Sequence, residues 1–407
     1  MKRFDLPVPA ILGLGVTQIV GYGTLYYSFG ILAPDMARDL GVSVEWMFGA
    51  LSAALLIGGF VAPWLGRWID RFGAGKIMAI GSLVAALALA ACALAPNRFA
   101  FALILVFIEA AANFVQYGAA FALLVQINPK VAQRSITTLT LIAGFASTIF
   151  WPITTALHGH LPWREVYVVF SLLNLAICLP IHAWLALYTA RVRRNGASTA
   201  PAPVDGALAE GQRRVGFALM VVGFAFLSLV SSAILVHMVP LMASLGLGTM
   251  AALVGTVFGP AQVASRVINM AFGRNLHPLR LAALSGLLVS VAIVVLDATA
   301  PSTSGAIAFA VLFGFGNGIF SIAAGTLPLY LFGSEGYGRL QGKLMSARLI
   351  VGATAPFAFA VSLASAGAEI SLGAVAAFGA IATFSFLRIG RIAATPYRVI
   401  AREQVEP

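Results

Sequence analysis

Gly66-Arg67-Trp68-Ile69-Asp70-Arg71-Phe72-Gly73-Ala74-Gly75-Lys76 packs three cations, one carboxylate and three glycines into eleven residues, between apolar stretches at about 43–65 and 77–95. A basic loop between two membrane spans stays on the cytoplasmic side. Glycines suit a tight reversal, because they take backbone angles that other residues avoid. A solvated, positive-inside turn with no further role has the same composition. The rest of the chain separates the two readings.

The chain has 407 residues, of which 60% are hydrophobic and only 10% charged. That exceeds the apolar fraction of a soluble domain and indicates an integral membrane protein. Apolar segments fall at about 9–33, 43–65, 77–95, 99–127, 135–157, 165–189, 214–244, 249–272, 279–296, 305–331, 341–365 and 369–390. They are too long for membrane strands and lack alternation, so they read as twelve helices. Lys2 and Arg3 precede the first, but no small-residue cleavage site and soluble domain follow, so that span is expected to be retained. With the N-terminus inside, the inner loops and tails hold 20 Lys and Arg, the outer loops only Arg38, Arg98 and Arg164. Both termini are therefore expected in the cytoplasm. The net charge of +11 follows from topology rather than from nucleic-acid binding. Cys92 and Cys178 lie in separate spans and read as small core residues.

Between the sixth and seventh segments, Arg191, Arg193 and Arg194 lead into Asn195-Gly196-Ala197-Ser198-Thr199-Ala200-Pro201-Ala202-Pro203, and Arg213 and Arg214 close the stretch. Small, polar and proline-containing, it reads as a flexible linker. The expected organisation is a six-helix bundle over 1–190, a linker over 191–213 and a second bundle with a tail over 214–407. A weak repeat at an offset near 207 supports two similar halves: Gly66-Arg67 recurs as Gly273-Arg274 and Gly118 as Gly325, while Gly144 falls one residue from Gly352. Two such halves around a central site make a rocker-type transporter. The second copy of the loop, Gly273 to Arg280, has no aspartate and should make the weaker gate.

The pattern G-x-x-x-D-R-x-G-x-x-K at 66–76, placed between the second and third spans, resembles the loop between helices 2 and 3 of the major facilitator superfamily of secondary transporters. The resemblance extends over about residues 8–395. It implies an all-α integral membrane fold of two pseudo-symmetric six-helix bundles working by alternating access. It also implies gating by Asp70 and Arg71, with Gly66 and Gly73 shaping the loop. An aspartate can lock that side by approaching the N-terminus of the eleventh helix, where unpaired amides favour an anion.

Charge inside the bilayer is costly unless it faces a cavity or a partner. Arg266, Arg348 and Glu109 lie within spans. Gly259-Pro260-Ala261-Gln262-Val263-Ala264-Ser265-Arg266 looks like the helix 8 arginine of monocarboxylate porters and oxalate–formate antiporters. In those families the arginine engages the substrate carboxylate, and a planar guanidinium suits that task. Several of those porters carry an aspartate four residues earlier; here the position is Gln262. Arg348 could equally snorkel to the interface, and Glu109 could simply pair helices.

Gln18, Tyr22 and Tyr26 repeat at four-residue spacing on one face of the first helix. Glu109, Asn113 and Gln116 repeat the device in the fourth, and Asn317 and Ser321 share a face in the tenth. Such stripes face the bundle interior, toward ligand or merely toward other helices. Other signals are thinner. His237 reads as a hydrogen-bonded group, His158 and His160 fall in an outer loop where H-x-H spacing alone is poor evidence for a metal, and the fifth helix lacks the G-x-x-x-G-P run of drug–proton antiporters. No nucleotide-binding loop, metal-ligand cluster or nucleophile–base pair is visible, so no enzyme activity, cofactor or metal is expected.

The sequence therefore reads as a secondary transporter of a small organic anion in a bacterial cytoplasmic membrane. Expected substrate contacts are Arg266, Arg348, Tyr22, Tyr26, Gln18, Asn113 and Asn317, with Glu109 as proton carrier. Expected partners are the anion, the bilayer and coupling protons, with the chain a monomer. The alternative is an exporter of amphiphilic or cationic compounds recognised through Glu109.

Overall fold

The computed structural model describes residues 6–195, 204–247, 250–273 and 276–403. Lys2 and Arg3, most of the linker's small-residue run and Arg274 lie outside the described residues. Ten helices are long and apolar enough to cross a membrane among the described residues. They include α1 (Val8–Asp39), α2 (Val44–Phe72), α3 (Ala74–Ala93), α4 (Arg98–Ile127), α5 (Ala132–His158) and α6 (Trp163–Arg191). After them come α7 (Glu210–Met242), α8 (Met250–Phe272), α9 (Pro278–Thr299), α10 (Thr303–Phe332) and α11 (Tyr337–Glu403). The 23-residue α8, and the division of α11 at Gly367 (φ 83, ψ 175), bring the ten to twelve. The protein is thus an all-α, multi-pass membrane protein. Two compact units form: residues 1–203 with 336–350, and residues 204–335 with 351–407.

The basic stretch differs from its reading as a loop. Ser43 caps α2, its hydroxyl accepting the Trp46 N–H at 3.1 Å. The helix runs on past Pro63 and continues through Gly66–Phe72, ending only at Gly73. At 1.5 Å per residue its 29 residues span about 44 Å, more than a hydrocarbon core of about 30 Å, so a polar last turn is tolerated. Gly73 alone (φ 91, ψ 138) makes the turn, in a conformation that favours glycine, and α3 starts at Ala74.

Two helices of the first unit carry π turns. In α1 the Ser28 N–H bonds the Gly23 carbonyl at 3.2 Å, and in α6 the Leu179 N–H returns to Asn174. The turns meet: Asn174 Nδ2 donates to Thr24 Oγ1 at 2.9 Å. A second buried polar chain joins α3, α6 and α1, with His182 Nδ1 2.6 Å from Ser82 Oγ and Nε2 2.9 Å from Thr17 Oγ1. At the other end of α1, Arg164 bonds Asp39 and takes the Ala93 and Ala95 carbonyls that end α3, at 2.8 and 3.0 Å. Arg164 and His158, both expected in an outer loop, are helical; His158 Nε2 lies 2.7 Å from Asp35.

In the second unit α10 presses against α8 and α9 through glycines. A Cβ on Gly314 would lie 2.7 Å from Ala261 Cβ, one on Gly318 would collide with Ser265 Oγ and the Gln262 carbonyl, and one on Gly316 would lie 2.6 Å from a Val289 methyl. The chain that enters α7 is strapped to the end of α10. Ala207 and Leu208 donate to the Tyr330 and Leu331 carbonyls at 2.9 and 3.1 Å, and Ser334 donates to Val204 at 2.9 Å.

Candidate functional site

Residues 336–350 group with the first unit because the start of α11 packs on α2. A Cβ on Gly66 would collide with the Gly338 carbonyl, and one on Gly342 would meet Gly66 Cα at 3.0 Å. Small residues on both sides bring the backbones together. That approach carries Asp70 to the helix start: its Oδ1 accepts the Gly338 N–H at 2.9 Å and its Oδ2 the Arg339 N–H at 2.8 Å. A carboxylate thus occupies the positive end of the α11 dipole and satisfies two first-turn donors. Arg71 is exposed, its guanidinium over the Phe72 ring at 5.2 Å. Gly66 serves helix packing, and Gly73 makes the turn.

The stripes of the first unit meet around α4. Glu109 is 4% exposed, and its Oε1 has no hydrogen-bond partner among the described residues. It lies within electrostatic reach of the Tyr26 and Tyr167 phenols. Asn113 Nδ2 donates to the Glu109 carbonyl at 3.2 Å and, longer, to that of Gly58 at 3.4 Å. Helix α4 breaks at Gln116 (φ −80, ψ −169), and the Ala119 N–H turns to Gln116. The Val115 carbonyl that this releases is taken by Gln18 Nε2 at 2.7 Å. Gln18 is 1% exposed, so its amide ties α1 to the break in α4.

The tyrosine stripe is shifted from its expected register. The extra residue of the π turn puts Tyr27, rather than Tyr26, beside Tyr22, with ring centroids 6.3 Å apart. Tyr26 is 48% exposed. Tyr117, next to the α4 break, packs on Tyr22 at 4.9 Å, and Arg348 of α11 lies within electrostatic reach of the Tyr22 phenol. A cavity of about 20 Å³, room for about one water, is lined by Asn113, Gly118, Gly66, Gly338, Gln341 and Met345 among others.

The second unit holds its own buried polar group. Arg266 is 4% exposed, with Nε 3.5 Å from the Gly318 carbonyl. Asn317 accepts from Ser231 Oγ at 2.7 Å and donates to the Phe313 carbonyl at 3.0 Å. One turn after Arg266, Asn269 is buried, and its Oδ1 has no hydrogen-bond partner among the described residues. Sequence reasoning missed Tyr27, Tyr117, Asn269 and Gly342. Only Gly338 and Gly342, at small-x-x-x-small spacing, carried a legible signal.

Solved structures share this arrangement of helices. The human organic anion transporter MFSD10 (TETRAN) aligns at TM-score 0.68 with 16% identity, covering 94% of this chain and 98% of its own. The proton:xylose symporter XylE bound to 6-bromo-6-deoxy-D-glucose aligns at 0.70 with 12% identity, covering 93% and 95%. The E. coli fucose:proton symporter FucP aligns at 0.69 with 14% identity, covering 94% and 99%. No curated protein matches by sequence. At such identities the likeness is one of fold. The sequence profile of the Major Facilitator Superfamily matches residues 14–356, and the chain belongs to that family of transporters.

Proposed function

We propose that the chain is a secondary transporter of a small organic carboxylate, resembling the monocarboxylate porter and oxalate–formate antiporter branch. The observation that carries this is the burial of Arg266, 4% exposed on a bilayer-spanning helix with Asn269 one turn on. A buried guanidinium is costly unless it faces partners or a water-filled path, and its fork suits a carboxylate. Asn317, Arg348, Tyr22, Tyr26, Gln18 and Asn113 are the further substrate contacts in this reading. One fold neighbour is an organic anion transporter and two are sugar–proton symporters, so the fold alone does not choose the substrate.

Glu109 is the proton carrier in this reading, and Asp70 is the latch on the cytoplasmic side. In this reading the membrane is a bacterial cytoplasmic one, and the count of cations by loop supports both termini inside. A second reading, export of cationic or amphiphilic compounds through Glu109, is favoured by the unpartnered Glu109 oxygen. A thermal-shift screen of detergent-purified protein beside Arg266→Gln separates the two. A ligand at a hundred times its Kd should stabilise by about 2.7 kcal/mol. Stabilisation by carboxylates that disappears in Arg266→Gln is the expected result. Stabilisation by lipophilic cations that persists in Arg266→Gln overturns the carboxylate reading and moves recognition to Glu109.

A further inference from the structure

We propose that Gln126 is the positioning residue of the Asp70 latch, through which the second segment of α4 holds the α2–α3 turn in place. This rests on the latch reading of Asp70. The turn is a single residue, so the carbonyls ending α2 and the amides starting α3 lie side by side. One side chain serves both. Gln126 Oε1 accepts the Ala74 N–H at 2.9 Å, and Gln126 Nε2 donates to the Ile69 carbonyl at 3.2 Å. The Gly73 N–H shares the Ile69 carbonyl at 3.0 Å.

An amide is the side-chain group that meets this need, because it has an acceptor and a donor on one carbon. A glutamate would serve Ala74 but set an oxygen against the Ile69 carbonyl. Asparagine is one methylene shorter. The bonded carbonyl belongs to the peptide that leads directly into Asp70, whose carboxylate reaches Gly338 and Arg339. The clamp therefore fixes the last turn of α2 from which the latch projects.

Its position on α4 gives it a second consequence. The break at Gln116 divides α4 into Arg98–Val115, which carries Glu109 and Asn113, and Tyr117–Ile127, which carries Gln126. Gly118 and Ala119, at the start of the second segment, line the small cavity beside Gly338 and Gln341. A shift of that segment is felt at once in the turn and at the latch. Gln126 thus links the helix bearing the buried carboxylate to the carboxylate that holds α11.

The test is hydrogen exchange of the full chain in detergent, read at the Gly338 and Arg339 amides, for Gln126→Met, Gln126→Glu, Asp70→Asn and the double variants. Gln126→Met removes both hydrogen bonds of the clamp, and the loosened latch should raise exchange at these two amides about five-fold. In the Asp70→Asn background Gln126→Met should add nothing further, because it acts through Asp70. Gln126→Glu, which keeps the acceptor for Ala74 but sets an oxygen against the Ile69 carbonyl, tests the donor separately and should also raise exchange at both amides. If Gln126→Met leaves Gly338 and Arg339 unchanged while Asp70→Asn exposes them, Gln126 is only a local cap and the inference is overturned. Equal effects in both backgrounds overturn it too, because they mark general loosening. If Asp70→Asn itself exposes neither amide, the latch reading fails first.

Discussion

Asp70→Asn is the perturbation whose size the structure fixes best. The carboxylate accepts two backbone N–H groups at 2.9 and 2.8 Å, one to each oxygen. Asparagine keeps one acceptor and turns an NH2 toward the other amide, so one charge-assisted bond is lost and two donors face each other. Such a bond contributes about 1.5–3 kcal/mol. The interaction with the helix dipole, up to about 2 kcal/mol, is part of the same energy and is not added. Because Asp70 is half-buried, solvent screens some of this. About 2 kcal/mol is a fair figure, a factor of about 30 in the equilibrium between attached and released. Amide exchange at Gly338 and Arg339 should quicken by that factor, while amides of α9 keep their protection. Unchanged exchange at both residues would refute the reasoning, since it would mean the carboxylate does not hold this helix start.

Gly318→Ala should lower the melting temperature, since a Cβ there collides with the Gln262 carbonyl, which is backbone and cannot swing aside. Overpacking of this kind costs about 1–3 kcal/mol; an unchanged melt would show that α8 and α10 are not so close. His277 supplies a pH dependence outside the spans. Its ring Nδ1 accepts the Leu279 N–H at 3.3 Å and so caps α9, while burial and the nearby Arg280 charge hold its pKa below the ordinary histidine value. The unfolded chain therefore binds the proton more readily. The stability this group gives is present above about pH 6.5 and is lost as pH falls through the lowered value. His277→Asn, which keeps a capping acceptor, should melt with less dependence on pH between about 7 and 5; an equal dependence in both proteins would remove His277 from the account.

The spans were legible because length and hydropathy decide them and the bilayer admits few alternatives. The end of α2 was not. Glycines and cations mark loops, and only packing shows that Gly66 instead lets α11 approach. Arg266 and Glu109 stood out because charge in an apolar run is conspicuous. Gln126 did not, since a glutamine near a helix end has many uses and its two partners lie more than fifty residues away. His182, which joins Ser82 to Thr17, was invisible for the same reason. That Tyr27 rather than Tyr26 packs beside Tyr22 was not legible, because a π turn leaves no mark in side-chain periodicity.

That turn gives α1 a spare residue. Adding or removing one residue in a membrane helix ordinarily swings everything beyond it by about 100°, turning lipid-facing side chains inward. Within Gly23–Tyr27 the surplus is already absorbed. A single deletion there would restore regular α-helix and leave Val8–Tyr22 and Phe29–Asp39 facing as they do now. The cost would be confined to the contacts of the turn itself, chiefly the Thr24–Asn174 bond. The first helix can therefore change its residue count without changing the fold, and the tyrosine beside Tyr22 is decided by counting as much as by substitution.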